Sequence, residues 1–189
     1  MTPRSFLFAV AALVFQAFAG QNTAFAGDPV FWHIKAVHPE GRLLDVKAIG
    51  KDGKIYPIKA LEEDGNLHML DIKALGDGEK WAVKVLVSDD KLAPVKAVTG
   101  KGEILDVKAF TADGAKLDVK GVARNGNIVH IKAIGPDGKH FGIKAISAEG
   151  RVYDVKGLKL SGEAVEGKVS GVDFAAHIKA LPQAPAAAR

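Results

Sequence analysis

The residues best suited to chemistry in this sequence are histidines and carboxylates that occur two residues before a recurring lysine. Such side chains bind divalent metals, and His33 and His177 would become neighbours if the first and last strands met. A lysine close to each position would repel a cation, and the sequence contains no His-x-His or His-Glu-x-x-His spacing. We therefore interpret these residues as polar partners of the lysines and expect no metal and no other cofactor. The set comprises His33, Asp45, Asp71, Asp106, Asp118, His130, Asp154, Glu166 and His177.

Catalysis by the same carboxylates is disfavoured because they recur along the chain, whereas an active site needs a unique arrangement of groups. The chain has no cysteine, which excludes a thiol nucleophile. The serines after residue 27 are Ser88, Ser147, Ser161 and Ser170, and none lies in a Gly-x-Ser-x-Gly turn. The sequence therefore predicts a protein that is not an enzyme, with no catalytic and no cofactor-binding residues.

The recurring lysine belongs to a tandem repeat with a commonest period of 12 residues, which is typical of a repeat architecture. Side chains around each lysine alternate between two chemical types, which indicates strands. Segments such as Ala112-Asp113-Gly114 suit three-residue hairpin loops that end in a glycine at positive φ. The sequence therefore predicts about 13 short strands joined by tight turns. The lysines are Lys35, Lys47, Lys59, Lys73, Lys84, Lys96, Lys108, Lys120, Lys132, Lys144, Lys156, Lys168 and Lys179.

The predicted turns also set strand registers, in which most lysines lie opposite a carboxylate. Such cross-strand pairs of opposite charge are favourable. A basic spot without carboxylates is expected around Lys80–Lys96, where Ala82 and Pro94 replace the aspartate. The expected pairs are Lys108 with Asp118, Asp106 with Lys120, Asp118 with Lys132, Lys120 with His130, Leu75 with Lys80, and Asp71 with Lys84.

The other face of the predicted sheet is apolar and too large to stay exposed, because a soluble monomer rarely exposes more than a few hundred Å² of apolar surface. We predict an all-β fold, an antiparallel meander folded on itself as a sandwich or flattened barrel. The alternative is a two-walled β-solenoid, in which alternate repeats form the two walls. The side chains expected to be buried are Ile58, Val107, Val119, Ile131 and Ile143, and those expected on the opposite face are Lys47, Lys108 and Lys132.

Residues 1–26 have the pattern of a signal peptide. Arg4 precedes an apolar run from Phe6 to Phe15, and small-x-small cleavage sites end at Ala19 and Ala26. Residues 27–181 are predicted to form a single β-repeat domain, and the Pro/Ala-rich residues 182–189 a disordered tail. We therefore expect a secreted or periplasmic protein. No membrane span is expected, because the apolar run is shorter than the roughly 20 residues that a spanning helix needs.

The charge balance gives little indication of a partner. Arg4 is the only charged residue of the predicted signal, so its removal leaves 25 Lys+Arg from 26, against 22 Asp+Glu. A polyanion binder should present a clearly basic face, and nucleic acid is not expected because no aromatic residues alternate with the lysines. We expect a non-catalytic protein with a structural or interaction role at the cell envelope or outside, one that self-associates through sheet edges. The alternative is a ligand-binding module for an apolar ligand, an acidic polymer such as an envelope polysaccharide, or a metal.

Overall fold

The computed structural model describes residues 29–159 and 167–183. The predicted signal peptide, Glu166 and most of the C-terminal tail lie outside these residues. The described part of the chain folds into thirteen strands without a helix. They are β1 (Val30–Val37), β2 (Leu43–Ile49), β3 (Ile55–Glu62), β4 (Leu70–Gly76), β5 (Glu79–Leu86), β6 (Ala93–Val98), β7 (Ile104–Phe110), β8 (Lys116–Asn125), β9 (Ile128–Ile134), β10 (His140–Ile146), β11 (Val152–Leu158), β12 (Gly167–Val169) and β13 (Val172–Pro182).

Most of the predicted three-residue hairpin turns are observed, although the β8–β9 turn has two residues. In the β7–β8 turn the Gly114 amide donates to the Thr111 carbonyl at 3.0 Å, and the Thr111 amide donates to the Ala115 carbonyl at 3.0 Å. Gly114 has a φ of 85°, a conformation that strains any side chain with a Cβ. The repeat therefore specifies its turns locally.

The all-β antiparallel meander is confirmed. Every strand pairing is antiparallel. The β-solenoid alternative is wrong, because it needs parallel stacking of successive coils. The chain folds back on itself instead: β1 pairs with β10, and β11 with β13.

The strands other than β12 form four triplets, in which each strand pairs with both others. One half of β1 pairs with β3 from Val30 to His33, and the other half pairs with β2 from Lys35 to Val37. Each triplet therefore forms what we call a corner of the fold, where three strands meet. The triplets are β1-β2-β3, β4-β5-β13, β6-β7-β8 and β9-β10-β11.

The free edge of each strand pairs with a strand of another triplet. These junctions connect every triplet to the other three, as the edges of a tetrahedron connect its four corners. The sheet thus closes with its apolar face inside, and closure supplies the cover that the sequence requires. The junctions are β1–β10, β2–β7, β3–β4, β5–β6, β8–β9 and β11–β13.

The core is filled by pairing small residues with large ones. Ala48 lies opposite Tyr56, and Ala133 opposite Phe141. Between β5 and β13 the order is reversed. Val85 has the position after the repeat lysine that alanine has in most repeats, and it lies opposite Ala176. The predicted core residues Ile58, Val107, Val119, Ile131 and Ile143 are confirmed, with exposures of 3% to 4%.

No helix of the described ranges is long and apolar enough to cross a membrane.

Candidate anion-binding surface

The outer face carries a lattice of lysines whose register differs from the prediction. At each junction between triplets, lysine lies opposite lysine. Lys120 was expected opposite His130, and Asp118 opposite Lys132, but Lys120 lies opposite Lys132. The β8–β9 turn is the two-residue Gly126-Asn127 instead of a three-residue loop, and with the bulge between Gly121 and Ala123 this moves the partner of Lys120 by two residues. The pairs are Lys35–Lys144, Lys47–Lys108, Lys59–Lys73, Lys84–Lys96, Lys120–Lys132 and Lys156–Lys179.

Inside the triplets, the tight hairpins give the register expected from their turns. Lys108 lies opposite Asp118, and Leu75 opposite Lys80, as predicted. The hairpin strands separate beyond these pairs and continue with other partners. Asp106 therefore lies opposite Lys96 instead of Lys120, and Asp71 opposite Lys179 instead of Lys84. These two predicted pairs are wrong because a hairpin pairs only the half of each strand that is near its turn.

Several lattice aspartates bridge two lysines, one on the paired strand and one two residues later on their own strand. Asp154 Oδ1 accepts from Lys144, and its Oδ2 lies 3.2 Å from Lys156 Nζ. Burial opposes ionisation of Asp154, but hydrogen bonds from these lysines outweigh it and lower its pKa to about 2. Asp45 bridges Lys35 and Lys47 in the same way, with Oδ2 3.4 Å from Lys47 Nζ.

Other lattice lysines lie against a neutral partner. Lys84 Nζ contacts Nδ1 of His177 and lies 4.8 Å from the centre of the Phe174 ring. Burial, together with the charges of Lys73 and Lys179, lowers the pKa of Lys84 to about 8. Burial and the Lys84 charge also lower the pKa of His177. The lattice therefore has too few carboxylates for its cations.

The basic spot expected around Lys80–Lys96 is placed differently. Lys80 lies 3.5 Å from Glu63, and Lys96 pairs with Asp106. Pro94 lies opposite Lys120 of another strand. We call the position two residues before each repeat lysine its acidic slot. Because Pro94 fills this slot on β6, it is Lys120 that lacks a carboxylate opposite, and the pairing within the triplet decides this.

The most basic junction joins β8 and β9. Lys120 and Lys132 lie opposite each other, and within the described residues neither forms a salt bridge. Pro94 occupies the acidic slot opposite Lys120, and Gly142 occupies the slot opposite Lys132. Both ammonium groups are thus available to an external anion.

A cavity of about 840 Å³ adjoins this junction. Three hairpin turns surround it, and its charged lining is Arg42, Lys116, Lys120, Asp113 and Asp118, which is one more cation than carboxylates. A second cavity of about 510 Å³ lies between other turns and is acidic by comparison. Its charged lining is Lys51, Lys101, Asp52, Asp77, Glu79 and Glu103. An anionic ligand is therefore favoured at the first cavity.

The predicted polar positions do not converge on one centre. His33 lies on β1 against Lys59 at 3.0 Å, whereas His177 lies on β13 against Lys84. β1 pairs with β2, β3 and β10, so the suggested neighbourhood of His33 and His177 does not form. The described ranges contain no cluster of three or more histidines and carboxylates placed to hold a metal.

The chain has no match among curated proteins or solved structures. One family model matches residues 28–181, which include every described strand except the last residue of β13. Its description is a family of unknown function, DUF7486. The match covers most of the chain, and the protein therefore belongs to the DUF7486 family.

Proposed function

We propose that the protein is an exported, non-catalytic interaction module of the cell envelope or exterior, and that it binds acidic polysaccharide through its lysine lattice. The observation that supports this proposal is the Lys120–Lys132 junction, where two lysines lie opposite each other without a described salt-bridge partner. Lysines that each pair with an aspartate would leave no positive charge for an acidic polymer. The outer face has fewer aspartates than lysines, and lysine lies opposite lysine at every junction.

The arrangement suits a polymer better than a small ion. Lysines of the lattice recur over the outer face of a closed sheet, so a chain of repeated negative charges would contact several junctions at once. Linked contacts raise overall affinity although each one is weak. Each solvent-exposed ion pair contributes roughly 1 kcal/mol or less. Because salt screens such pairs and a polyanion releases counterions when it binds, the affinity should fall steeply with added salt.

The interior does not support the apolar-ligand alternative. The inward side chains pack against one another, with Trp32 fully buried and Val129 2% exposed. Self-association through sheet edges receives little support as well, because strands other than β12 pair on both edges within the described chain. The outer lysine face is the remaining large surface with unbalanced groups.

The proposal is tested by measuring binding of the purified protein to polygalacturonate, with neutral dextran as the comparison polymer, over a range of NaCl concentrations. A double substitution, Lys120→Gln with Lys132→Gln, is expected to weaken binding about tenfold, which corresponds to about 1.4 kcal/mol. The matched control is Lys47→Gln with Lys108→Gln. That pair has the same position at the β2–β7 junction, but both lysines also contact aspartates.

The control pair should lose clearly less affinity than the Lys120–Lys132 pair. Equal binding of dextran and polygalacturonate would contradict the proposal, as would binding that does not change with salt. Thermal melts of both double variants check that each remains folded.

A further inference from the structure

The corner formed by β9, β10 and β11 has one aspartate for three lysines, because Gly142 and His130 occupy the other two positions opposite a lysine. Lys132 lies opposite Gly142, at the slot that Asp45, Asp71, Asp106, Asp118 or Asp154 occupies in other strands. The corner holds Lys132, Lys144 and Lys156, with Asp154 as its carboxylate. Its side chains therefore carry an excess of positive charge.

The slot at Gly142 is open. A Cβ placed on this glycine would lie 3.9 Å from Lys144 Cε and 4.0 Å from Lys132 Nζ, with no closer atom outside its chain neighbours. The equivalent uncharged slots of the other three corners are occupied by Pro57, Ala82 and Pro94, each of which has a Cβ. Gly142 therefore leaves the most space among these slots.

The surrounding lysines are placed as they are around the aspartates that bridge two lysines. Asp154 lies between the lysine of the paired strand, Lys144, and the lysine two residues later, Lys156. At Gly142 the corresponding lysines are Lys132 and Lys144. A carboxylate that entered this slot would meet the same pair of donors.

We propose that the Gly142 slot binds a uronate carboxylate of the polymer, which takes the place of the missing aspartate and contacts Lys132 and Lys144. This subsite rests on the proposed function and specifies it, because it names carboxylated polysaccharide as the ligand class. Two features favour a carboxylate over a sulfate ester. The slot has the width of one side chain. At the equivalent positions of other strands, the lysines contact an aspartate carboxylate, which is planar and has two oxygens.

The test substitution is Gly142→Asp, which fills the slot with the group that the repeat carries elsewhere. The residue does not have the positive φ that restricts a position to glycine, and the space above it is open, so the variant should fold. Binding to polygalacturonate is expected to weaken about tenfold, because the added carboxylate competes for both lysines.

The matched control is Ala82→Asp, which introduces the same charge at the same repeat position of the β4-β5-β13 corner, opposite Lys73. It should weaken binding less than threefold. Equal losses for the two variants would overturn the subsite, since they would show an effect of net charge alone, while the proposed function would stand. Dextran sulfate provides a further arm: if it binds more tightly than polygalacturonate and Gly142→Asp leaves that binding unchanged, the uronate subsite is refuted. If the parent protein binds neither polymer above neutral dextran, the proposed function fails together with the subsite.

Discussion

Replacing Lys84 with methionine is expected to stabilise the protein at neutral pH, although it removes a charged group from a polar surface. Lys84 is half-buried against Phe174. The charged groups around it are Asp71 and Lys73 on β4, Lys179 on β13 beside His177, and Lys96 opposite on β6. The cations outnumber the carboxylate, so the folded state disfavours the ammonium form of Lys84.

The magnitude follows from the pKa. A fall from 10.5 to about 8 corresponds to on the order of 3 kcal/mol of preference for the neutral form in the folded state. Solvent screening of this partly exposed group reduces the effect to about 1 kcal/mol. For a domain of this size, such a gain raises Tm by roughly 2–4 °C.

The dependence on pH has a definite sign. Below pH 8 Lys84 is protonated in both the folded and the unfolded state, so the folded state bears the full free-energy cost of its charge. Between pH 8 and 10.5 the folded state releases the proton while the unfolded state retains it, so the parent protein gains stability as pH rises. The advantage of Lys84→Met should therefore be largest at pH 7 and well below half of that at pH 10.

The assay is urea unfolding of parent and variant at pH 7 and pH 10. Lys108→Met is the control, because Lys108 has the same repeat position but pairs with Asp118. It should destabilise by under about 1 kcal/mol. The reasoning is refuted if Lys84→Met loses as much stability as Lys108→Met at pH 7, or if its gain is as large at pH 10 as at pH 7.

Three further predictions concern the core, a glycine and the acid response. Val119→Ala should lower the free energy of unfolding by roughly 1–2 kcal/mol in urea denaturation, because Val119 is 3% exposed and its truncation leaves a cavity. An unchanged stability would contradict the assignment of the inner and outer faces. Gly76→Ala should destabilise the protein by roughly 1–3 kcal/mol through overpacking, since the new Cβ would lie 2.4 Å from the Trp81 ring and 2.5 Å from the Tyr56 ring. A Tm equal to that of the parent protein would argue against this close contact. Acidification from about pH 4 to about pH 2 should progressively destabilise the protein, because the folded state holds the pKa of Asp154 at about 2, below its ordinary value of 3.8. Asp154→Asn should flatten this loss by up to about 1 kcal/mol in melts over that range.

Much of the fold could be predicted from the repeat because its determinants are local. Alternation around Val107 and Lys108 places one residue inside and the next outside. The β7–β8 loop fixes the opposition of Lys108 and Asp118 through the first residues beyond the turn. The turn between β9 and β10 likewise fixes the opposition of Ala133 and Phe141.

The strand partners beyond each hairpin were decided by the tertiary structure. Near-identical repeats offer near-identical edges, so nothing in the β2 sequence distinguishes β7 from any other strand as its partner. Twisted hairpin strands separate after a few residues, and closure of the whole sheet then determines which edges meet. For this reason the turns could not predict that Lys35 would lie opposite Lys144, or that Asp71 would lie opposite Lys179 instead of Lys84. Sequence alone determined which residues point outward, whereas the balance of charge on that surface depended on long-range pairing.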